Sequence, residues 1–211
     1  MNASTERLTL AGPVGALQVL RDPAALPAGQ KLHGVAVIAH PHPLFGGSME
    51  NKVVQTLARA FVQCGWHAVR FNFRGVGGSS GTYDEGRGEL EVLLAVIGQC
   101  APDGPLALAG FSFGAFVASR AVEALHAVRE IEKIVLVGTA ATRFPVAVLP
   151  RDLLERVLVI HGESDDTVPL INVLDWARPQ ALPVTVVPGG SHFFHGQLPL
   201  LRSLVVRHLS A

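Results

Sequence analysis

The sequence has little of what marks membrane-spanning, nucleic-acid-binding or secreted proteins. No apolar run in its 211 residues approaches the roughly 18 residues that span a bilayer, and residues 1–13 contain no apolar stretch of signal-peptide length. The 17 basic residues balance 17 acidic ones, so the chain has no basic field for nucleic acid or an anionic membrane. These absences predict a cytoplasmic protein with neither a nucleic-acid nor a membrane partner.

Cysteine is also scarce, with only Cys64 and Cys100 in the chain. The two residues form no C-x-x-C or other metal-ligand spacing, and we expect both to be reduced and half-buried. Apolar residues make up 49% of the sequence and charged residues 16%, which is typical of a globular protein. Because this length suits one sizeable core, we expect a single domain over residues 1–211.

Apolar runs of strand length alternate with helical periodicity along most of the chain. This alternation predicts an α/β fold with a mostly parallel, twisted sheet of eight strands and helices on both faces. Residues 9–12 and 16–20 lack an intervening helix and predict an antiparallel hairpin at a sheet edge. The other predicted strands cover residues 34–40, 67–73, 106–110, 133–140, 156–162 and 184–190, and the predicted helices cover residues 49–64, 89–100, 113–128 and 194–208.

The segment between the strands at 133–140 and 156–162 bears on access to the carboxyl ends of the strands. Its sequence, TRFPVAVLPRDLLE, contains two prolines, and proline interrupts helices. We therefore expect no large cap domain, and a shallow, open pocket at this edge of the sheet.

The pentapeptide GFSFG, residues 110–114, carries the main functional signal. It overlaps the end of the apolar run LALAG and precedes a predicted helix. A nucleophile elbow has this context, because a sharp strand-to-helix turn exposes a serine and small residues on either side relieve crowding. Gly110 and Gly114 occupy those small positions around Ser112. In a chain with 22 glycines the pentapeptide alone is weak, and a glycine-rich bend with an N-cap serine is the alternative.

A nucleophilic serine needs a histidine to accept its proton and a carboxylate to orient that histidine. The stretch HGESDDTVP supplies Asp165 and Asp166 after one predicted strand, and PGGSHFF supplies His192 after the next. The order serine, acid, histidine, each past a different strand, predicts that Ser112, Asp165 and His192 meet as a catalytic triad. Asp166 is the alternative acid.

Four stretches together resemble the α/β-hydrolase superfamily: GFSFG, HGESDDTVP, GGSHFF and the strand-end loop FNFRGVGGSSG. The resemblance covers nearly the whole chain and implies an α/β-hydrolase fold without a large cap. Within HGESDD, the family's spacing implies Asp165 as the triad acid. The stretch HPHPLFGGSMENKVV is similar to uncharacterised bacterial hydrolases related to the dienelactone hydrolases, whose nucleophile is cysteine. Because Ser112 takes that place here, the resemblance does not imply lactone chemistry.

Acyl transfer also needs backbone amides that stabilise the negative charge on the carbonyl oxygen, the oxyanion hole. Phe113 follows the predicted nucleophile and supplies the first amide. Where the family has His-Gly before the second donor, this chain has H-P-H at 40–42, so the resemblance implies the amide of His42. The alternative donors are Phe45, Gly46 and Gly47.

The histidines also allow a different hypothesis, a metal-dependent hydrolase. His40 and His42 show a His-x-His spacing, and His192 and His195 with an aspartate could complete a site. That hypothesis leaves GFSFG and the order of serine, acid and histidine unexplained. We therefore expect no metal and no organic cofactor, and a structural role for His40.

The glycine-rich loop at 75–80 superficially resembles a phosphate-binding turn. It lacks the third glycine of a dinucleotide fingerprint and the lysine of a P-loop. We expect Arg74 to stabilise this loop by contacting carbonyls or acidic side chains, and we expect His161 to be structural as well.

Together these features predict a serine hydrolase that cleaves a small or medium acyl ester through an acyl-enzyme, with a small molecule as its partner. Thioester or amide hydrolysis on the same triad is the enzymatic alternative, and a hydrolase fold that only binds ligands is the alternative of another class. No oligomeric state is predicted. The residues expected to line the pocket are Leu44, Phe45, Phe113, Phe144 and Phe193.

Overall fold

Eight strands form one sheet in the computed structural model, which describes residues 5–26, 29 and 31–211. The strands are β1 (Glu6–Gly12), β2 (Gly15–Asp22), β3 (Gly34–Ala39), β4 (Trp66–Phe71), β5 (Leu106–Phe111), β6 (Ile131–Val137), β7 (Val157–Gly162) and β8 (Val184–Val187). Their spatial order is β1-β2-β4-β3-β5-β6-β7-β8. β2 pairs antiparallel with β1 and β4, and the other pairs are parallel. The predicted mostly parallel sheet with an antiparallel edge hairpin is confirmed.

The burial of each strand follows its place in the sheet. All six residues of β5, which lies in the parallel part of the sheet, are buried. Helices cover both faces here, and for this reason the strand is a continuous apolar run. β1, at the edge, instead alternates between half-buried and exposed residues.

Five helices in the described part of the chain pack on the two faces of the sheet and create two apolar cores. The helices are α1 (Lys52–Gln63), α2 (Arg87–Cys100), α3 (Phe113–Leu125), α4 (Leu170–Ala177) and α5 (Leu198–Ser210). One core contains the buried faces of α2, α3 and α4, and the other contains those of α1 and α5. The prediction of helices on both faces is confirmed.

Several helix boundaries differ from the prediction for local reasons. α1 begins three residues late, because the side-chain oxygen of Asn51 accepts the Val53 amide and caps the helix there. α5 begins at Leu198 and not at 194, because Phe194 and Gly196 adopt the left-handed region with φ of 51° and 75°. α4 was not predicted at all.

The connection between β6 and β7 contains only one short 3₁₀ segment, Arg151–Arg156. It is too short to fold into a separate layer over the sheet. The expectation of no large cap domain is therefore confirmed, and the carboxyl ends of the central strands remain accessible.

The two cysteines lie away from this edge of the sheet. Cys64 and Cys100 are half-buried and unpaired, as expected. Across residues 5–26, 29 and 31–211, no helix combines the length and apolar character needed to cross a bilayer.

Candidate active site

Ser112 lies on a strained turn between β5 and α3. Its backbone has φ of 56° and ψ of −116°, a conformation that costs a non-glycine residue about 1–3 kcal/mol. The surrounding backbone packs too closely for side chains: a Cβ on Gly110 would lie 2.3 Å from the Gly114 oxygen, and one on Gly114 would lie 2.3 Å from the Ala39 oxygen. The turn therefore has the geometry of the predicted nucleophile elbow.

The structure brings Ser112, His192 and Asp165 together at the carboxyl ends of the strands. The His192 Nε2 lies 3.0 Å from the Ser112 Oγ, and the His192 Nδ1 lies 2.6 Å from the Asp165 Oδ2. An ionised carboxylate can only accept, so Nδ1 carries the proton and Nε2 accepts from the serine hydroxyl. All three residues are buried, and the His192 ring packs against Phe111 and Phe193 at centroid distances of 4.9 and 5.1 Å.

Asp165 is held as an acceptor by its own loop. Its Oδ1 accepts the amides of Thr167 at 3.0 Å and Val168 at 2.7 Å, which leaves Oδ2 for His192. Burial by itself raises the pKa of Asp165, but the hydrogen bonds from His192 and Val168 and the nearby imidazoles together hold that pKa below its ordinary value. Asp166 is exposed, and its carboxylate accepts a hydrogen bond from the Thr167 hydroxyl at 3.3 Å.

His161 lies directly behind the carboxylate. Its Nε2 is 2.8 Å from the Val168 carbonyl and 3.4 Å from the Asp165 Oδ2. Burial lowers the pKa of His161, although the Val168 carbonyl and the Asp165 charge oppose that shift. A neutral ring that donates from Nε2 ties the acid loop to β7, which agrees with the expected structural role.

His40 uses both ring nitrogens within the protein. Its Nδ1 donates to the Pro41 carbonyl at 2.6 Å, and its Nε2 accepts the Phe73 amide at 3.0 Å. Burial lowers the pKa of His40 to about 4, although the hydrogen bond to Pro41 acts in the other direction. The ring therefore joins the loop after β3 to the loop after β4, and neither nitrogen is left for a metal.

The other residues of the alternative metal-site hypothesis are not arranged as a site. In the part of the chain that the structure describes, no group of three or more His, Cys, Asp or Glu side chains is placed to hold a metal ion.

Arg74 contacts two residues of the glycine-rich segment. It forms an ion pair with Asp84 at 3.5 Å, and its Nε lies so close to Gly81 that a Cβ there would be 3.3 Å away. This contact agrees with a structural role for Arg74 in the glycine-rich loop.

The two predicted oxyanion amides both belong to residues that line one cavity with Ser112. Among the described residues, neither the Phe113 nor the His42 amide donates a hydrogen bond to a protein acceptor. The amides of Phe45 and Gly47, two of the alternatives, already donate to the His42 carbonyl at 3.1 Å. The free amides of Phe113 and His42 are therefore available to a bound oxygen.

The His42 ring lies within a cluster of aromatic side chains. Its Nδ1 accepts the Leu44 amide at 3.2 Å, so its neutral form carries the proton on Nε2. Burial lowers the pKa of His42, and the positive charge of Arg143 lowers it further. The aromatic rings within 6 Å of its centroid are those of Phe45, Tyr83, Phe113 and Phe144.

A cavity of about 390 Å³ lies above the serine and opens to solvent. Four predicted aromatic residues line it: Phe45, Phe113, Phe144 and Phe193. Leu44 was predicted to line it but does not; the side chain is 67% exposed, because successive residues of the 3₁₀ turn Pro43–Phe45 point in different directions. Sequence reasoning missed four polar lining residues, namely Asn51, Thr142, Arg143 and Thr167.

Comparison with known proteins identifies the family. A sequence model described as the alpha/beta hydrolase fold matches residues 41–156, more than half of the chain. The chain belongs to the α/β-hydrolase family. A curated relative, an uncharacterized protein of Rickettsia prowazekii, is 42% identical over 92 residues. That match covers 42% of this chain and 39% of the relative, so the chain spans only part of the relative's length.

Two solved structures of α/β hydrolases are similar over nearly the whole chain. An α/β serine hydrolase without a lid from Xanthomonas campestris is 37% identical, with a TM-score of 0.87 and coverage of 100% of this chain and 95% of that one. An alpha-beta serine hydrolase homologue from Coxiella burnetii is 38% identical, with a TM-score of 0.80 and coverage of 97% of each chain. Both likenesses agree with the uncapped fold of this α/β hydrolase.

Proposed function

We propose that this α/β hydrolase is a serine esterase that cleaves small or medium acyl esters through an acyl-enzyme. The observation that carries the proposal is the hydrogen-bonded series Ser112–His192–Asp165 at the base of an open cavity. These residue types in this order supply a nucleophile, a base and a group that orients the base. The proposal needs no metal and no organic cofactor.

In the first step, Ser112 attacks the carbonyl carbon of the ester while its proton moves to the Nε2 of His192. Asp165 keeps the ring in the tautomer that can accept this proton, and its negative charge stabilises the imidazolium. The low pKa of Asp165 suits this role, because the carboxylate stays ionised at neutral pH. His192 then gives the proton to the leaving alcohol, and the acyl group remains on the Ser112 oxygen.

The amides of Phe113 and His42 are the proposed donors to the oxygen that becomes negative as the tetrahedral intermediate forms. Such fixed donors are worth about 3–4 kcal/mol each in transition-state stabilisation. Their lack of protein acceptors supports this assignment. In the second step water repeats the attack with His192 as base, which releases the carboxylic acid and restores the serine.

The size and lining of the cavity support a small or medium acyl group. A volume of about 390 Å³ is in the lower part of the range for small-molecule sites. The aromatic walls favour an apolar portion of substrate, and the absence of a cap leaves little surface to cover a long lipid chain. The lidless relative from Xanthomonas campestris, described as a serine hydrolase, agrees with this proposal.

The proposal is tested with 4-nitrophenyl butyrate and a serine-directed fluorophosphonate probe. Ser112→Ala should lower kcat/KM by at least about 10³-fold and abolish labelling, because it removes the hydroxyl that contacts the His192 Nε2. Ser203→Ala, in the exposed face of α5, is the matched control and should retain full activity. Normal turnover in Ser112→Ala would refute the assignment, and a folded wild-type protein that neither turns over esters nor reacts with the probe would indicate a binding protein.

A further inference from the structure

The cavity above Ser112 has an uneven distribution of charge. Of its lining residues, Arg143 is the one with a permanent charge, and no Asp or Glu lines it. The polar neighbours Asn51 and Thr142 can also donate hydrogen bonds. Because the Asn51 oxygen already accepts the Val53 amide, its NH₂ group remains as a donor.

Among the described residues, Arg143 also lacks the carboxylate partner that seven other arginines have. Within the described parts of the chain, no carboxylate pairs with Arg143 and no hydrogen bond from its guanidinium is formed. An arginine without a protein acceptor beside an apolar cavity has all five donors available to a ligand. The arginines that pair with carboxylates are Arg21, Arg70, Arg74, Arg87, Arg120, Arg156 and Arg178.

The charge of Arg143 acts on the cavity side of its loop. Burial is the larger cause of the lowered His42 pKa, and the positive charge of Arg143 is the second cause. The electric field of Arg143 therefore reaches the His42 ring. The His42 ring lines the same cavity and contacts Phe113 and Phe144 at centroid distances of 5.0 and 5.9 Å. Arg143 is itself solvent-exposed where it lines the cavity, so water and salt partly screen its charge.

We propose that Arg143 forms an anion-binding subsite, so that the preferred ester carries a carboxylate or another acidic oxyanion. This inference rests on the esterase function proposed above. The aromatic walls hold the apolar body of the substrate, while Arg143, helped by Asn51 and Thr142, binds the oxyanion. Selectivity is a difference between two affinities. A neutral ester gains nothing from Arg143, and a cationic ester is repelled by it.

The test compares pairs of esters in which one member carries a free carboxylate and the other carries the methyl ester of that carboxylate. In the first pair the charge is on the acyl side: the mono-4-nitrophenyl ester of adipic acid against methyl 4-nitrophenyl adipate. In the second pair it is on the alcohol side: 4-carboxyphenyl hexanoate against 4-(methoxycarbonyl)phenyl hexanoate. For each pair the ratio of kcat/KM, charged to neutral, is measured in wild type and in variants, so differences in intrinsic reactivity cancel.

We expect Arg143→Gln to lower this ratio about tenfold in at least one pair, since a charge-assisted hydrogen bond is lost. Arg143→Lys should restore part of the ratio because it keeps the charge. Arg207→Gln is the matched control, an exposed arginine on α5 that does not line the cavity, and should leave both ratios unchanged. Added salt should weaken the preference of the wild type.

Equal ratios in wild type and Arg143→Gln for both pairs would overturn the inference while leaving the esterase proposal intact. If no ester is hydrolysed, the esterase proposal fails, and the anion-binding subsite is then tested by measuring ligand binding. Calorimetric titration of Ser112→Ala with the adipate monoester and with its methylated counterpart needs no turnover. About tenfold tighter binding of the monoester, lost on adding Arg143→Gln, supports the subsite; equal affinities of the two esters overturn it.

Discussion

Single histidines in this chain differ mainly in what their ring nitrogens contact. His40 uses both nitrogens on backbone groups, and His161 uses one on the Val168 carbonyl. His192 contacts a carboxylate through one nitrogen and a hydroxyl through the other. The same residue type therefore serves as a structural brace in two places, and in the third has the contacts of a base.

At this scale the choice between the two neighbouring aspartates can be tested. We expect Asp165→Asn to lower kcat by about 10³–10⁴-fold on a simple ester, because the amide favours the wrong His192 tautomer. The variant should still fold, since its remaining oxygen can accept the Thr167 and Val168 amides. Steady-state kinetics and circular dichroism measure the two effects.

Asp166→Asn is the matched control and should stay within about twofold of wild type, because Asp166 is exposed and its carboxylate accepts from the Thr167 hydroxyl, not from His192. A larger loss in Asp166→Asn than in Asp165→Asn would transfer the proposed role to Asp166.

The meeting of Ser112, Asp165 and His192 could be predicted because each residue follows a strand, and parallel strands end at one edge of the sheet. The positions of Leu44 and Arg143 could not. Both lie in short segments where the direction of a side chain depends on local backbone angles. The sequence of these segments shows no periodic pattern of apolar residues from which that direction could be predicted. The free guanidinium of Arg143 also depends on which carboxylates the fold brings near it.

At the scale of the secondary-structure elements, α3 begins in close backbone contact with the end of β3. A Cβ on Gly114 would lie 2.3 Å from the Ala39 oxygen and 2.5 Å from the His40 oxygen. These backbone atoms leave no room for a side chain, so a larger residue at this position would push α3, and Ser112 with it, away from β3. The same contact therefore positions the nucleophile and the loop that carries the His42 amide.

Substitution of this glycine tests the packing. We expect Gly114→Ala to lower the free energy of unfolding by about 3 kcal/mol, because the new methyl group meets backbone oxygens. Gly98→Ala is the control within helix α2, where a Cβ meets nothing within 4 Å. It should raise stability by about 0.5–1 kcal/mol through helix propensity. Urea unfolding gives both values, and equal effects of the two substitutions would argue against the close packing.

The strands were easier to predict than the ends of the helices. Buried strands appear as apolar runs, and each of the predicted ones has a counterpart in the sheet. α4 escaped prediction because its eight residues give barely two turns of periodicity and follow Pro169. The start of α5 depends on the left-handed turn at Phe194, which no sequence rule specifies for that residue type.

At the scale of the whole molecule the formal charges balance, but several histidines resist protonation in the folded state. The pKa is lowered, mainly by burial, in five histidines. The unfolded chain exposes these rings and returns them to ordinary pKa values near 6.5. Between that value and their folded values, the unfolded state therefore binds more protons than the folded state. The histidines are His40, His42, His67, His161 and His208.

This difference predicts acid sensitivity. A lowered folded pKa contributes stability above pH 6.5 that is lost as pH falls toward the folded value. For His40, with a pKa of about 4, the loss is about 3 kcal/mol between pH 6.5 and 4. Urea unfolding at pH 7, 5.5 and 4.5 measures the slope, which His40→Gln should flatten. A free energy of unfolding that is unchanged from pH 7 to 4.5 would contradict this account.

The short connection between β6 and β7 has a consequence for the time course of catalysis. In the part of the chain that the structure describes, no cap covers the cavity, so an ester can enter without the opening of a lid. Turnover by the proposed mechanism then has no conformational gate, and its rate follows bond making and proton transfer. The rate constant of turnover should therefore change with the acidity of the leaving alcohol and hardly at all with the viscosity of the solvent.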